Sequence, residues 1–146
     1  MGEHNIEQEL DELKLRAYSK ALLNDLRALE LMLENGLIES GIRRIGAEQE
    51  MFLVDENLRP APVAEEVLKI VNDPRLTTEI ARFNLEANLT PQDLRGRCFR
   101  QMEQELEEAI KLTREAANSL MADVLLAGIL PTLTMSDLTL ANITPN

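Results

Sequence analysis

The chain has 146 residues, 45% of them hydrophobic, and 26 acidic against 15 basic residues leave a net charge of -11. That length and apolar content suit one ordinary domain with a real core and argue against disorder. The negative charge, with no concentrated basic patch to offset it, excludes nucleic acid and anionic lipid as partners.

The single cysteine, Cys98, has no internal disulfide partner, and the opening "MGEHNIEQEL" lacks the basic and apolar regions of a secretory signal. A cytoplasmic location is therefore expected. The longest apolar run, "VLLAGIL" from Val124 to Leu130, falls far short of the roughly 20 residues a spanning helix needs, so no membrane segment is expected.

From Asn5 to about Gly36, Ile6, Leu10, Leu13, Ala17, Ala21, Leu26, Leu29, Met32 and Leu33 recur at three- and four-residue steps, the pattern of one long amphipathic helix. Asn5 can cap it, Glu7, Glu9, Asp11 and Glu12 suit its positive end, and Gly36 can terminate it. At about 1.5 Å per residue it is roughly 45 Å long. Its stripe is read as the cover of a sheet, with a dimerisation arm or partner surface as the alternative.

Residues 42–54 read as a strand stopped by the turn "DENLRP"; "VAEEVLKIVND" reads as a short helix broken by Pro74. A second strand is predicted over Glu79–Thr90, where Ala81, Phe83, Leu85, Ala87 and Leu89 alternate with Arg82, Asn84, Glu86, Asn88 and Thr90. "TPQD" then predicts a second long helix, with Thr90 as cap, Pro91 at its first position and Asp93 in a capping contact. This helix runs to about Ala122 with Met102, Leu106, Ala109, Ile110, Leu112, Ala116, Leu120 and Met121 as its apolar side, and the strand "DVLLAGILPT" follows. The predicted fold is α+β: a mostly antiparallel sheet with one face packed by long helices and the other left open. The end, "MSDLTLANITPN", offers no closing helix or strand and reads as a stop within a domain.

Side chains two residues apart on a strand stand on one side, roughly 6.5 to 7 Å apart. Glu48 and Glu50 thus share a face with Arg44, while Ile45, Ala47, Met51 and Leu53 belong mostly to the other. If the two strands are neighbours, Glu48, Glu50 and Glu86 converge, with Arg82, Asn84, Asn88 and Thr90 around them. Three carboxylates at cross-strand distances repel unless a cation intervenes, and at least one should have a raised pKa. Magnesium suits such a cluster, because it prefers oxygen ligands and is commonly shared with substrate phosphates. The plainer reading is a solvated polar face. Cys98 reads as a small packing residue, and His4 has no second histidine with which to build a zinc site.

"IGAEQEMFLVD", a Gly-x-Glu-x-Glu leading into an apolar strand, and "RFNLEANLTP", a Glu-x-Asn ahead of Thr-Pro, together resemble the glutamate-cysteine ligase family over residues 42 to 146. The resemblance implies a partial glutamine synthetase-like catalytic fold, whose curved antiparallel sheet holds ATP, magnesium and glutamate on its open face. It implies an ATP-dependent ligase that phosphorylates the glutamate γ-carboxylate and lets an amine, cysteine or another, attack the acyl phosphate, as in glutathione biosynthesis. Glu48, Glu50 and Glu86 match the family's acidic positions and are implied magnesium ligands; Arg82, Asn84, Asn88 and Thr90 fall in or beside the second motif as candidate substrate-binding residues. On this reading residues 1–40 are an N-terminal amphipathic helix and 41–146 the N-terminal part of a catalytic domain, inactive by itself. The rival reading is a non-catalytic helical interaction module whose polar sheet face is merely wet. Either way the long helices offer a contact for a homo-oligomer.

Overall fold

The computed structural model describes residues 12–145. Asn5, the expected cap of the first helix, lies outside the described residues, as do Glu7, Glu9, Asp11 and His4. The chain falls into two units divided between Ile42 and Arg43.

The first unit is built on α1, Glu12–Glu34. Gly36 ends it as predicted: its φ is +64°, its N–H donates to the Leu33 carbonyl at 3.2 Å, and the Leu37 N–H reaches back to the Met32 carbonyl at 2.8 Å. These two bonds satisfy carbonyls the helix leaves unpaired, and the left-handed turn they require is cheapest for glycine. None of α1's residues is buried, contrary to the expectation of a stripe packed on a core.

In the second unit the order is β1 Arg44–Ile45, β2 Glu48–Val54, α2 Ala64–Val71, β3 Leu76–Thr78, β4 Asn84–Asn88, β5 Gln92–Asp93, α3 Cys98–Ser119 and β6 Asp123–Leu125, then an irregular segment with a 3-10 turn at Leu140–Asn142. Four strands form an antiparallel sheet in the order β3-β4-β2-β6, and β1 pairs with β5 in a two-stranded ribbon. The α+β, antiparallel expectation holds. No helix among the described residues is long and apolar enough to cross a membrane.

One sheet face carries the main core. Met51, Leu53, Leu85, Ala87 and Val124 pack with Ala64 and Val67 of α2 and Ala109, Ala116 and Ala117 of α3. The small side chains on α3 allow its backbone to approach the sheet closely. Cys98 is buried, as a packing residue should be. Met121, predicted to be core, is 90% exposed, because the chain leaves the helix at Ser119 and passes through a positive φ at Met121 itself.

Several predicted element boundaries are corrected. The first strand breaks at Gly46–Ala47. The second, predicted over Glu79–Thr90, is a β-strand only over Asn84–Asn88; residues before it turn back from β3, with the Asn84 N–H donating to the Ala81 carbonyl at 2.9 Å. Phe83 leaves the alternation there and packs with Phe52, Val54 and Leu130 on the opposite side of the sheet from Leu85. The third concerns "TPQD", which starts no helix. Between the pairs Ile45↔Gln92 and Glu48↔Asn88, residues 46–47 face residues 89–91, so one extra residue bulges out around Thr90 and Pro91. Proline has no N–H for the ladder, and α3 begins only at Cys98, after Gly96 at φ +59°.

The second face is not open throughout. Over the Phe52–Val54 half it is covered by the segment after β6, with Leu130 only 1% exposed and Leu133 packed beside it. Arg59 clamps that segment: its guanidinium donates to the Thr132 carbonyl and to both Asp137 oxygens at 2.7 and 3.0 Å. Hydrogen bonds from Thr134 first, and then the charge of Arg59, hold the Asp137 carboxyl below its usual range. The predicted last strand, "DVLLAGILPT", is a strand only over Asp123–Leu125 for the same reason: its remainder folds across the sheet rather than extending it.

Candidate site on the open half of the sheet

Among the described residues the Glu48–Glu50 half of β2 stays uncovered, with both glutamates exposed. Here Glu48 is paired with Asn88, and Glu50 with Glu86. The Leu53 N–H donates to the Phe83 carbonyl at 2.8 Å and the Leu89 N–H to the Ala47 carbonyl at 2.9 Å, so the odd-numbered positions of β2 carry the ladder. Glu48 and Glu50 therefore stand at non-hydrogen-bonded positions, where facing Cα atoms are only about 4.5 Å apart and side chains crowd most. Thr77 of β3 pairs with Glu86 from the other side, extending the row.

A fourth carboxylate joins them. Glu79, one residue past β3, has its pKa raised, first by burial, then by a side-chain hydrogen bond to Glu86 and the charge of Glu86, with a smaller contribution from the charge of Glu50. The carboxyl with a raised pKa is thus Glu79, which lies outside the three residues predicted and which no alternation pattern singled out. In a continuous 79–90 strand Glu79 would share the apolar face of Ala81, and the turn at residues 79–83 removes that constraint. The only sequence signal was the pair of β-branched threonines in "LTT" just before it, which marks β3.

The other predicted substrate residues divide. Asn88 lies on the face, and its Nδ2 donates to Thr77 Oγ1 at 3.3 Å. Asn84 pairs with Phe52, and its Oδ1 is buried without a hydrogen-bond partner. Arg82 is corrected: it lies in the turn before β4, its Nε donates to Glu65 Oε1 on α2 at 3.1 Å, and its backbone N–H donates to the Asn142 carbonyl at 2.9 Å. Thr90 is corrected too. Displaced from the ladder by the bulge, its N–H donates to the Glu105 carboxylate of α3 at 3.1 Å, and its Oγ1 does so at 2.7 Å. Glu105 thereby serves an N–H that the sheet cannot.

Sequence reading also missed Arg75. Its guanidinium lies 2.6 Å from Asp73, 3.3 Å from Glu108 and 3.6 Å from Glu105. The hydrogen bond from Arg75 holds the Asp73 carboxyl below its usual range, and Asp73 in turn raises the pKa of Arg75. Thr90, Glu105, Arg75 and Asp73 thus form one chain of charge-assisted contacts beside the acidic row. Gly46, Glu48, Arg75, Asn88, Thr90 and Pro91 help line a cleft of about 700 Å³ there, within the roughly 300–1,000 Å³ usual for ligand sites.

The donors on this face are oxygens, which suit a hard cation. Among the described residues no three His, Cys, Asp or Glu side chains are gathered closely enough to hold one ion by themselves. Magnesium commonly takes only one or two carboxylates and completes its shell with phosphate oxygens and water. No family model, curated protein or solved structure matches the chain.

Proposed function

We propose that this sheet face serves an ATP-dependent carboxylate-amine ligase, glutamate-cysteine ligase-like, acting in the cytoplasm. The observation that supports it most is the register of two adjacent antiparallel strands, with Glu50 opposite Glu86 and Glu48 opposite Asn88 on the uncovered half of the sheet. It puts in one place the carboxylates that the two motifs suggested separately.

In the proposed reaction the bond to the terminal phosphorus of ATP breaks, a glutamate γ-carboxylate oxygen takes the phosphoryl group, and ADP leaves. The amine nitrogen then forms the amide as phosphate departs and the amine gives up a proton. Magnesium, held by Glu50 and Glu86 with Glu48 beside them, would neutralise phosphate charge. The chain's own residues do the rest by position. Strand-borne carboxylates are held more rigidly than loop-borne ones, and the Thr90–Glu105–Arg75 network braces the bulge that flanks Glu48. Asn88 presents an amide toward the same cleft.

Calorimetric titration tests this reading. Magnesium and ATP together should give a binding isotherm that neither gives alone, and Glu50→Gln should abolish it while leaving the urea transition intact. No magnesium-dependent ATP binding by the wild-type chain would overturn the proposal. The second reading, a helical interaction module, draws on a different observation, the wholly exposed α1.

A further inference from the structure

The inference concerns α1 and stands independently of the ligase reading. Along this helix Leu15, Leu22 and Leu29 recur seven residues apart, and Ser19, Leu26 and Leu33 do the same in the complementary positions. That is a 3.5-residue repeat, the spacing of a seam between two supercoiled helices. The five leucines of this seam are 46% to 61% exposed. None of its 23 residues is buried, and in water propensity alone is marginal support for a helix. Ser19 does not spoil the seam, because its hydroxyl already donates to the Leu15 carbonyl at 2.9 Å.

We infer that α1 pairs antiparallel with α1 of a second copy of this chain. Charge selects both the partner and its direction. In the antiparallel arrangement Leu26 meets Leu22 and Leu33 meets Leu15 of the other copy, and the flanking positions bring Arg16 beside Glu30 twice, at the cost of one Asp25–Asp25 approach near the two-fold axis. In the parallel arrangement Asp25 of each copy flanks Glu30 of the other, giving two repulsions and, among the described residues, no attraction. Arg16 now pairs with Glu12 one turn away at 2.7 Å on an exposed surface, and its five donors leave capacity for a second carboxylate.

Sedimentation of the full chain across a concentration series tests this. A dimer is expected. Glu30→Arg should weaken it at least about fivefold, since two attractions become repulsions, and the double exchange Arg16→Glu with Glu30→Arg should restore it. Leu26→Asp should leave a monomer whose second unit keeps its urea transition. A wild-type chain that stays monomeric at 100 μM (about 1.6 mg/ml), a dimer tightened by Glu30→Arg as parallel pairing requires, or a dimer indifferent to Leu26→Asp would each overturn the inference.

Discussion

Glu50 of β2 and Glu86 of β4 face each other directly across a non-hydrogen-bonded position of the sheet. Like charges so placed destabilise a sheet by roughly 0.2–1 kcal/mol. A sheet built only for stability would not place them there. Glu50→Gln is therefore expected to raise stability without magnesium by about 0.5 kcal/mol and to remove any stabilisation by magnesium with ATP. Thermal melts of both proteins, each with and without the ligands, check the two halves of that expectation. A variant that melts lower than wild type without ligand would show that the pair is not repulsive.

Glu79 sets a pH dependence. Its folded pKa lies above the ordinary value of 4.5 because of burial, its hydrogen bond to Glu86 and the neighbouring charges, so the folded state holds this proton more tightly than the unfolded chain. The stability it contributes is fully present below the unfolded value and is lost as pH rises through the folded one. Chemical denaturation should therefore show a decline in stability above about pH 4.5 that Glu79→Gln largely abolishes, with a gain of about 0.5–1 kcal/mol at pH 7. Equal pH profiles for the two proteins would contradict this.

Arg75→Met should cost about 1–3 kcal/mol. It leaves Asp73, Glu105 and Glu108 without their shared cation, and Glu105 must still accept from Thr90. Because the Asp73 carboxyl is held low by Arg75, its stabilisation is present above the unfolded pKa and lost as pH falls through the folded one. The wild-type advantage should therefore shrink in strong acid, which urea titrations at pH 7 and pH 2.5 would reveal.

The segment across the second face can be probed through Leu130, which is 1% exposed. Leu130→Ala should destabilise by roughly 2–4 kcal/mol. Arg59→Met, which removes the clamp on Asp137, should raise amide exchange over residues 130–137 while leaving β2 and β4 protected. Unchanged exchange there would mean that the apolar contacts alone hold the segment.

Alternation and helical spacing are local properties, and they were legible. Glu48, Glu50, Glu86 and Asn88 could be assigned to polar faces, Leu85 and Ala87 to the core, and Gly36 to the end of α1, because each depends on a periodicity or a backbone preference spanning a few residues. What the sequence could not show was decided by contacts between distant segments. Thr90 and Pro91 look like a helix start in isolation, yet pairing between β1 and β5 holds them in a bulge and Glu105 takes the liberated N–H. Arg82 continues the alternation of a strand in sequence, but the turn from β3 delivers it to Glu65. Glu79 enters the acidic row because β3 pairs with β4, and Leu130 reaches Phe52 because the last segment, bonded to Arg59 through Asp137, folds back across the sheet. The physical reason is common to these four cases: each position is set by pairing or packing energy between separate elements of the chain, which outweighs the weaker local preferences by which the sequence was read.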